Sequence, residues 1–338
     1  LCHIWNRRIS LCRKHFTIVS MSILFWGSIF IISLIVLVKA ADYFIDGAER
    51  IGTYFNIEPF IIGVFILGFG TSLPELAVSI LSVIEGSSEV VIGNVLGSNI
   101  TNIFLVLGVS AIIVKKSILH YNFFEFDLPL FLTTAFLLAV TVWDGTFSIG
   151  EGIFFLTLFI LYTAYTVSNH KKHKHMLVPE EVKAIPKRVK LDIGTILKLV
   201  ISPVFIYLGA RYTIEAVIYF SEIANIGKDI IAASAIALGT SLPELMVSFS
   251  AIRKGKIDEM LGNIIGSNIF NILIVMGISS LMGTLLIPAS MLTSTLPIML
   301  IATLTTIIVI HDRKIMRLEG IILISFYLFF LGNLFNIF

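Results

Sequence analysis

Apolar runs of about 17–25 residues, the length that crosses the hydrocarbon core of a bilayer, recur along the chain and are parted by short polar stretches. Ten such spans are read, at 22–41, 58–83, 89–113, 128–143, 148–168, 199–218, 229–252, 258–282, 291–310 and 318–337. The one sizeable polar segment runs from His170 to Asp192, is rich in Lys and His, and carries Pro179 and Pro186. It divides the chain into a first five-span unit at 21–169, a linker at 170–192 and a second five-span unit at 193–338, with a tail at 1–20. Five spans is an odd number, so the second unit enters the membrane from the opposite side and any repeat between the units is inverted. The predicted fold is an all-α polytopic membrane protein: ten transmembrane helices in two inverted-topology five-helix repeats.

The polar positions inside the spans show that a repeat exists. Gly70-Thr71-Ser72-Leu73-Pro74-Glu75-Leu76 returns letter for letter as Gly239-Thr240-Ser241-Leu242-Pro243-Glu244-Leu245. A second phrase follows each copy: Gly93-Asn94, Gly97-Ser98-Asn99-Ile100 and Asn102, then Gly262-Asn263, Gly266-Ser267-Asn268-Ile269 and Asn271. Every matched pair lies 169 positions apart. Paired inverted repeats are the architecture in which transporters hold substrate near the midplane, on helices broken at matching positions.

Composition agrees: 57% of residues are hydrophobic, 14% are charged and the mean hydropathy is +0.98, which excludes an ordinary soluble domain. The net charge of +2 carries no implication of nucleic-acid binding, because the basic residues fall in short clusters between spans. Cys2 and Cys12 both lie in the tail, so no disulfide framework or cysteine metal site is on offer. Loops after the odd-numbered spans hold Arg50, Lys115, Lys116, the basic residues of the linker, Arg253, Lys254, Lys256, Arg313, Lys314 and Arg317. The opposite loops hold Glu85, Glu89, Asp144, Glu222 and Asp229 against a single Lys228. The positive-inside rule then makes the odd loops and the linker cytoplasmic and puts both termini outside a cell membrane. Arg7, Arg8, Arg13 and Lys14 oppose that orientation, so translation is expected to begin at Met21.

An ionisable residue at membrane depth costs roughly 2.5–3.5 kcal/mol on insertion scales. No Lys, Arg or His lies in either repeated phrase to neutralise Glu75 or Glu244. Thr71 and Glu75 are four apart and share a helical face, as do Thr240 and Glu244, while Ser98 and Asn102, with Ser267 and Asn271, do the same one span later. Packed face to face, the halves bring two carboxylates, amide oxygens, hydroxyls and the carbonyls freed by Pro74 and Pro243 to one centre. Calcium takes six to eight such oxygens at about 2.3–2.6 Å, and sodium accepts the same carbonyls and hydroxyls. The bland alternatives are helix contacts through Gly93, Gly97, Gly262 and Gly266, and interhelical hydrogen bonds from Ser79, Ser248, Asn94 and Asn263. Asp42, Asp46 and Glu49 read as interfacial charges rather than ligands.

Both phrases resemble the alpha-repeats of the cation/calcium exchanger superfamily, most closely those of prokaryotic sodium/calcium exchangers, over residues 21–338. The resemblance implies that Glu75 and Glu244 bind calcium and share it with sodium sites. It adds hydroxyl or backbone oxygens at Thr71, Ser72, Thr240 and Ser241, hydroxyls at Ser98 and Ser267, and amides at Asn102 and Asn271. Proton-coupled members typically carry Gly-Asn where this chain has Gly-Thr-Ser, so the chain sides with sodium. Some members have aspartate at the position of Asn271; asparagine in both halves implies exchange without a requirement for K⁺. The expected function is Ca²⁺/Na⁺ antiport by alternating access, with Ca²⁺/H⁺ antiport as the alternative.

No nucleotide-binding phrase appears, so transport is expected to run on an ion gradient, with Ca²⁺, Na⁺ and the bilayer as partners and neither a cofactor nor an obligate protein partner. A calcium channel is the rival from another class, though an inverted pair supplies two gates around one site rather than a continuous pore. An intramembrane hydrolase lacks a metal-binding H-E-x-x-H, a G-x-S-x-G elbow and a histidine beside either glutamate.

Overall fold

The computed structural model describes residues 2–55, 57–114, 116–121, 123–124, 127–173, 192–223, 239 and 241–334, with side chains in the first helix from Ser22 onward. Most of the expected linker (174–191), residues 224–228 with the first part of the seventh expected span (229–238), and Thr240 lie outside the described residues. The described chain is helical almost throughout. Helix α1 (Cys2–Phe55) runs well past the apolar stretch 22–41, because nothing interrupts it until Pro59, whose ring disfavours helix at Glu58 and holds that residue extended at φ −68, ψ 145.

After it come α2 (Pro59–Thr71), α3 (Leu73–Ile84), α4 (Glu89–Val114), α5 (Asp127–Thr141) and α6 (Ile149–His173). The second half contributes α7 (Ile193–Ile223), α8 (Leu242–Arg253), α9 (Ile257–Ser280), α10 (Met291–Ile310) and α11 (Arg317–Leu334). Among the described residues, seven helices are long and apolar enough to cross a bilayer, and the pair α2 and α3 forms an eighth crossing bent by 41°. Helix α5 is apolar but only 15 residues long. The chain is therefore an all-α polytopic membrane protein.

The expected span at 58–83 is bent into two helices, and the cause is not a kink at the proline. The break falls at Ser72 (φ −89, ψ 5), and Pro74 stands in the first turn of α3, where its missing N–H leaves no helical bond unmade. Ser241 (φ −91, ψ 0) and Pro243 reproduce the arrangement at the start of α8. Each downstream helix then ends on a turn whose glycine takes the left-handed region: Gly86 at φ 79 and Gly255 at φ 72.

Two short antiparallel ladders tie the loops together. At one end of the bundle β1 (Lys116–Ile118) pairs with β4 (Lys314–Met316), Arg50 lies 3.9 Å from Asp192, and the His120 N–H donates to Asp258 at 3.1 Å. At the other end β2 (Thr146–Phe147) pairs with β3 (Leu285–Leu286), and the Leu286 N–H donates to the Ser88 hydroxyl at 3.1 Å. The loops rich in Lys and Arg thus gather at the first end and those bearing Glu85 and Asp144 at the second. Asp192 itself is a helix cap: bonds from the Thr195 hydroxyl and N–H, helped by Arg50, hold its carboxyl below the usual range.

Burial separates core helices from lipid-facing ones. In α9 an 18-residue window is 89% buried, against 17% in α1, whose Ile31, Ile32 and Ile35 face outward. Helix α2 lies backbone to backbone on α9: a Cβ on Gly68 would stand 2.8 Å from the Ser267 nitrogen, and one on Gly262 3.0 Å from the Gly63 Cα. Gly262 and Gly266 therefore pack helices, as one sequence reading held.

Candidate functional site

The close approach of α2 to α9 carries the first repeated phrase onto the second half of the chain. Thr71 Oγ1, which donates to the Leu67 carbonyl at 3.1 Å, lies 3.3 Å from both Asn263 Oδ1 and Ser267 Oγ. Ser267 Oγ in turn donates to the Gly68 carbonyl at 3.4 Å. One residue further along, at the break, Ser72 does not cap its own helix. Its hydroxyl donates across the molecule to Glu244 Oε1 at 3.0 Å.

Both glutamates are wholly buried, and each sits in the first turn of its helix, where unpaired N–H groups and the helix dipole favour negative charge. Each of these helices is clamped to its neighbour by an asparagine. Asn94 Nδ2 donates to the Glu75 carbonyl at 3.1 Å and to Ser79 at 3.0 Å, and Asn263 Nδ2 to the Glu244 carbonyl at 3.3 Å and to Ser248 at 3.0 Å. Ser79, Ser248, Asn94 and Asn263 thus make the interhelical bonds expected of them.

The partners of the carboxylates are few. Both oxygens of Glu75, Oε2 of Glu244, both amide atoms of Asn102, Oδ1 of Asn271 and the Ser241 hydroxyl are buried with no protein hydrogen-bond partner. An unsatisfied buried polar atom costs about 1–3 kcal/mol, more when charged, so seven at one place in the fold mark a centre shaped for something other than protein. Among the described residues no group of three His, Cys, Asp or Glu side chains could hold a metal, which leaves hard, mostly neutral oxygen as the available ligand chemistry.

Of the ten residues expected at the site, nine are described and all nine are buried: Thr71, Ser72, Glu75, Ser98, Asn102, Ser241, Glu244, Ser267 and Asn271. Direct bonds join Ser72 to Glu244 and bring Thr71 beside Ser267; Thr240 lies outside the described residues. The sequence reading missed a second polar layer. Asn99 and Asn268 meet where α4 crosses α9, with Asn99 Nδ2 donating to the Asn268 carbonyl at 3.4 Å and Asn271 Nδ2 donating to Asn99 Oδ1 at 3.2 Å. Their recurrence in the second phrase was the available signal. Also missed were the wide π turns at Asn102–Leu107 and Asn271–Val275, each opening on a site asparagine, a deviation frequent at functional sites. Asp127, which accepts from Tyr121 at 2.9 Å and Tyr162 at 3.0 Å, has no repeat partner to announce it.

A polytopic helical protein with helix N-termini meeting at two buried carboxylates is, as a class, an ion-handling membrane transporter. The family model described as "Sodium/calcium exchanger protein" matches residues 25–168 and 195–336, one stretch in each half, and the chain belongs to that family. It is 34% identical to the sodium/calcium exchanger MaX1 of Methanosarcina acetivorans, over 91% of this chain and 98% of that one. It is 33% identical to the inner membrane protein YrbG of Escherichia coli, over 75% and 79%. A solved structure of the sodium-calcium exchanger NCX_Mj superposes with a TM-score of 0.77 at 31% identity, covering 92% of this chain and 99% of that one. Members of this family are transporters, so the chain is not an enzyme.

Proposed function

We propose that the chain exchanges Ca²⁺ for Na⁺ across the membrane by alternating access, with the ions held between Glu75, Glu244, Asn102, Asn271 and the hydroxyl or backbone oxygens of Thr71, Ser72, Thr240, Ser241, Ser98 and Ser267. The observation that carries this reading is the pair of glutamates, fully buried in the first turns of their helices, with three of their four carboxylate oxygens lacking a protein donor. Two charges match one divalent cation, and the neutral oxygens complete an irregular shell of the kind calcium tolerates. Na⁺ takes the same oxygens when Ca²⁺ leaves.

In the same reading the chain makes ten crossings as two inverted five-helix repeats joined by a cytoplasmic linker, with both termini outside. Support comes from the matching backbone at Ser72 and Ser241, the twin turns at Gly86 and Gly255, and the sorting of basic loops to one end of the bundle. Helices α1 and α7 are the pair that slides across the rest.

The test is Ca²⁺ flux in reconstituted vesicles with a Na⁺ gradient as the only driving force. Flux should follow that gradient, need no K⁺, and vanish in Glu75→Gln and in Glu244→Gln. Flux driven by a proton gradient and indifferent to Na⁺, or conductive flux with no counter-ion, would overturn the reading.

A further inference from the structure

The two repeats match at the membrane centre and differ at the bundle ends. On the last turns of α1, Asp42, Asp46 and Glu49 form one stripe at i, i+4 and i+7. The end of α8 and its turn into α9 present a complementary set. Lys254 Nζ donates to Asp46 Oδ1 and to the Asp42 carbonyl, each at 2.6 Å, Ser250 donates to the Asp42 carboxylate, and Lys256 donates to Glu49. Lys256 also lies 4.0 Å from Glu259, a carboxylate 1% exposed. Gly255, with φ 72, makes the turn that points both lysines at α1. These side chains are half sunk: Lys254 is 24% and Lys256 28% exposed.

The repeat-related positions carry something else. Arg211 stands for Asp42, Glu215 for Asp46, Ile218 for Glu49, Glu85 for Lys254 and Ser87 for Lys256, in helices otherwise matched residue for residue at Ala41, Tyr43 and Ile45 with Ala210, Tyr212 and Ile214. There Arg211 pairs with Glu215 of its own helix at 2.9 Å, and Glu85 is exposed.

Helices α1 and α7 are keyed together as one unit. A Cβ on Gly209 would lie 2.9 Å from the Leu37 side chain, one on Gly47 3.3 Å from the Leu199 nitrogen, and Ser33 and Thr213 share a hydrogen bond at 2.9 Å. The Arg50–Asp192 contact stays inside that pair. The lysine turn is what binds it ionically to the core. We propose that Asp42, Asp46 and Glu49 with Ser250, Lys254 and Lys256 form an ionic latch that shuts the basic end of the bundle, and that the lack of an equivalent at the repeat-related positions, all of them among the described residues, biases the resting protein toward the state open at the other end.

This rests on the exchange reading above, and the test separates the two. Ca²⁺-dependent exchange is measured in vesicles sorted by orientation, so that apparent Ca²⁺ affinity is read at each face. In Lys254→Gln/Lys256→Gln, affinity at the basic face should rise by up to about fivefold per pair removed, the factor that a favourable half-exposed ion pair supplies, while affinity at the other, already favoured face falls by less, because the two populations sum to one. The swap Asp46→Lys/Lys254→Asp should restore much of the wild-type asymmetry. In the wild type, raising inert salt should shrink the asymmetry, because pairs at this exposure are screened. Unchanged asymmetry in the neutralised variant, or an equal shift at both faces, overturns the latch while leaving exchange intact. If the neutralised variant fails to insert, the wild-type salt series decides: asymmetry independent of salt overturns the latch. Loss of all Na⁺-driven Ca²⁺ flux in the wild type would instead sink the exchange reading itself.

Discussion

The two glutamate helices open on the same letters and on serines of the same backbone conformation, yet their glutamates live differently. Ser72 and Ser241 agree within a few degrees in φ and ψ, and the asparagine clamps behind them agree within a few tenths of an ångström. At the carboxylates the likeness stops. Glu244 accepts from Ser72, while Glu75 accepts from no side chain and the Ser241 hydroxyl that would mirror the bond has no partner. Local sequence therefore sets local backbone in both halves, and the departure from symmetry arises only where one half meets the other. That is the departure alternating access requires: if both halves met the centre in the same way, the two sides of the membrane would be equivalent and no single state could face one of them.

The comparison breaks first at the glutamates. Removing either charge leaves one carboxylate facing a divalent ion in a partly dry centre, a Coulombic loss of several kcal/mol. Glu75→Gln and Glu244→Gln should each lower Na⁺-driven Ca²⁺ flux more than about 100-fold, the factor that about 2.7 kcal/mol gives. Flux in either variant within tenfold of the parent would take that residue out of the site. Exchange should also fall as the medium is acidified, since protonation removes the same charges.

A finer cut separates the serines. A hydrogen bond to a charged group contributes about 1.5–3 kcal/mol, so Ser72→Ala should weaken Ca²⁺ binding by roughly ten- to hundredfold in the state described here. Ser241→Ala, which breaks no bond in that state, should weaken it by less. Isothermal titration of the two purified variants compares them directly, and equal losses would mean that the asymmetry at the carboxylates has no energetic weight.

How much of this was legible beforehand varies by residue. Glu75 and Glu244 announced themselves through cost, because an unneutralised charge inside a lipid-length apolar run has few structural uses. The apolar runs likewise announced the membrane. The break at Ser72 was misplaced onto Pro74, since a proline in a helical pattern looks like a kink while a serine's backbone angles leave no mark in composition. Gly68 carried no mark in the sequence either. Its counterpart in the repeat is Ala237, yet it lies where α2 touches α9 and a methyl has no room. Contacts across halves, such as Ser72 with Glu244 or Asp46 with Lys254, depend on how two helices cross, and pattern within either helix cannot supply that. The paired lysines and acids of the bundle end were read as separate interfacial charges for the same reason.

Gly68→Ala tests that close approach. A Cβ 2.8 Å from the Ser267 nitrogen and 3.0 Å from the Gly266 carbonyl carbon meets backbone on both counts, so the helices themselves must part. Overpacking of this kind costs about 1–3 kcal/mol. The variant should melt several degrees lower in detergent and lose Ca²⁺ affinity, because Thr71 would be lifted off Ser267. An unchanged melting temperature would show that α2 and α9 do not approach as closely as described.

The smallest effect is expected at Pro74. In a helix interior the ring would cost about 3 kcal/mol and its removal would reshape the span. Here it occupies the first turn of α3, where no N–H is required, and the bend is held instead by Ser72, by the Ser72–Glu244 bond and by the clamp from Asn94 to the Glu75 carbonyl. What proline adds is a bias: it disfavours helix at Leu73 and denies the Gly70 carbonyl a donor four residues on, so α2 cannot run straight into α3. Pro74→Ala returns that donor against contacts that still oppose a straight helix, and the net change should stay below about 1 kcal/mol. Ca²⁺ exchange should therefore fall less than about fivefold, and the same should hold for Pro243→Ala. A loss in Pro74→Ala as deep as that in Glu75→Gln would return the bend to the proline, and with it the view that the two halves are alike because of their prolines rather than because of their serines.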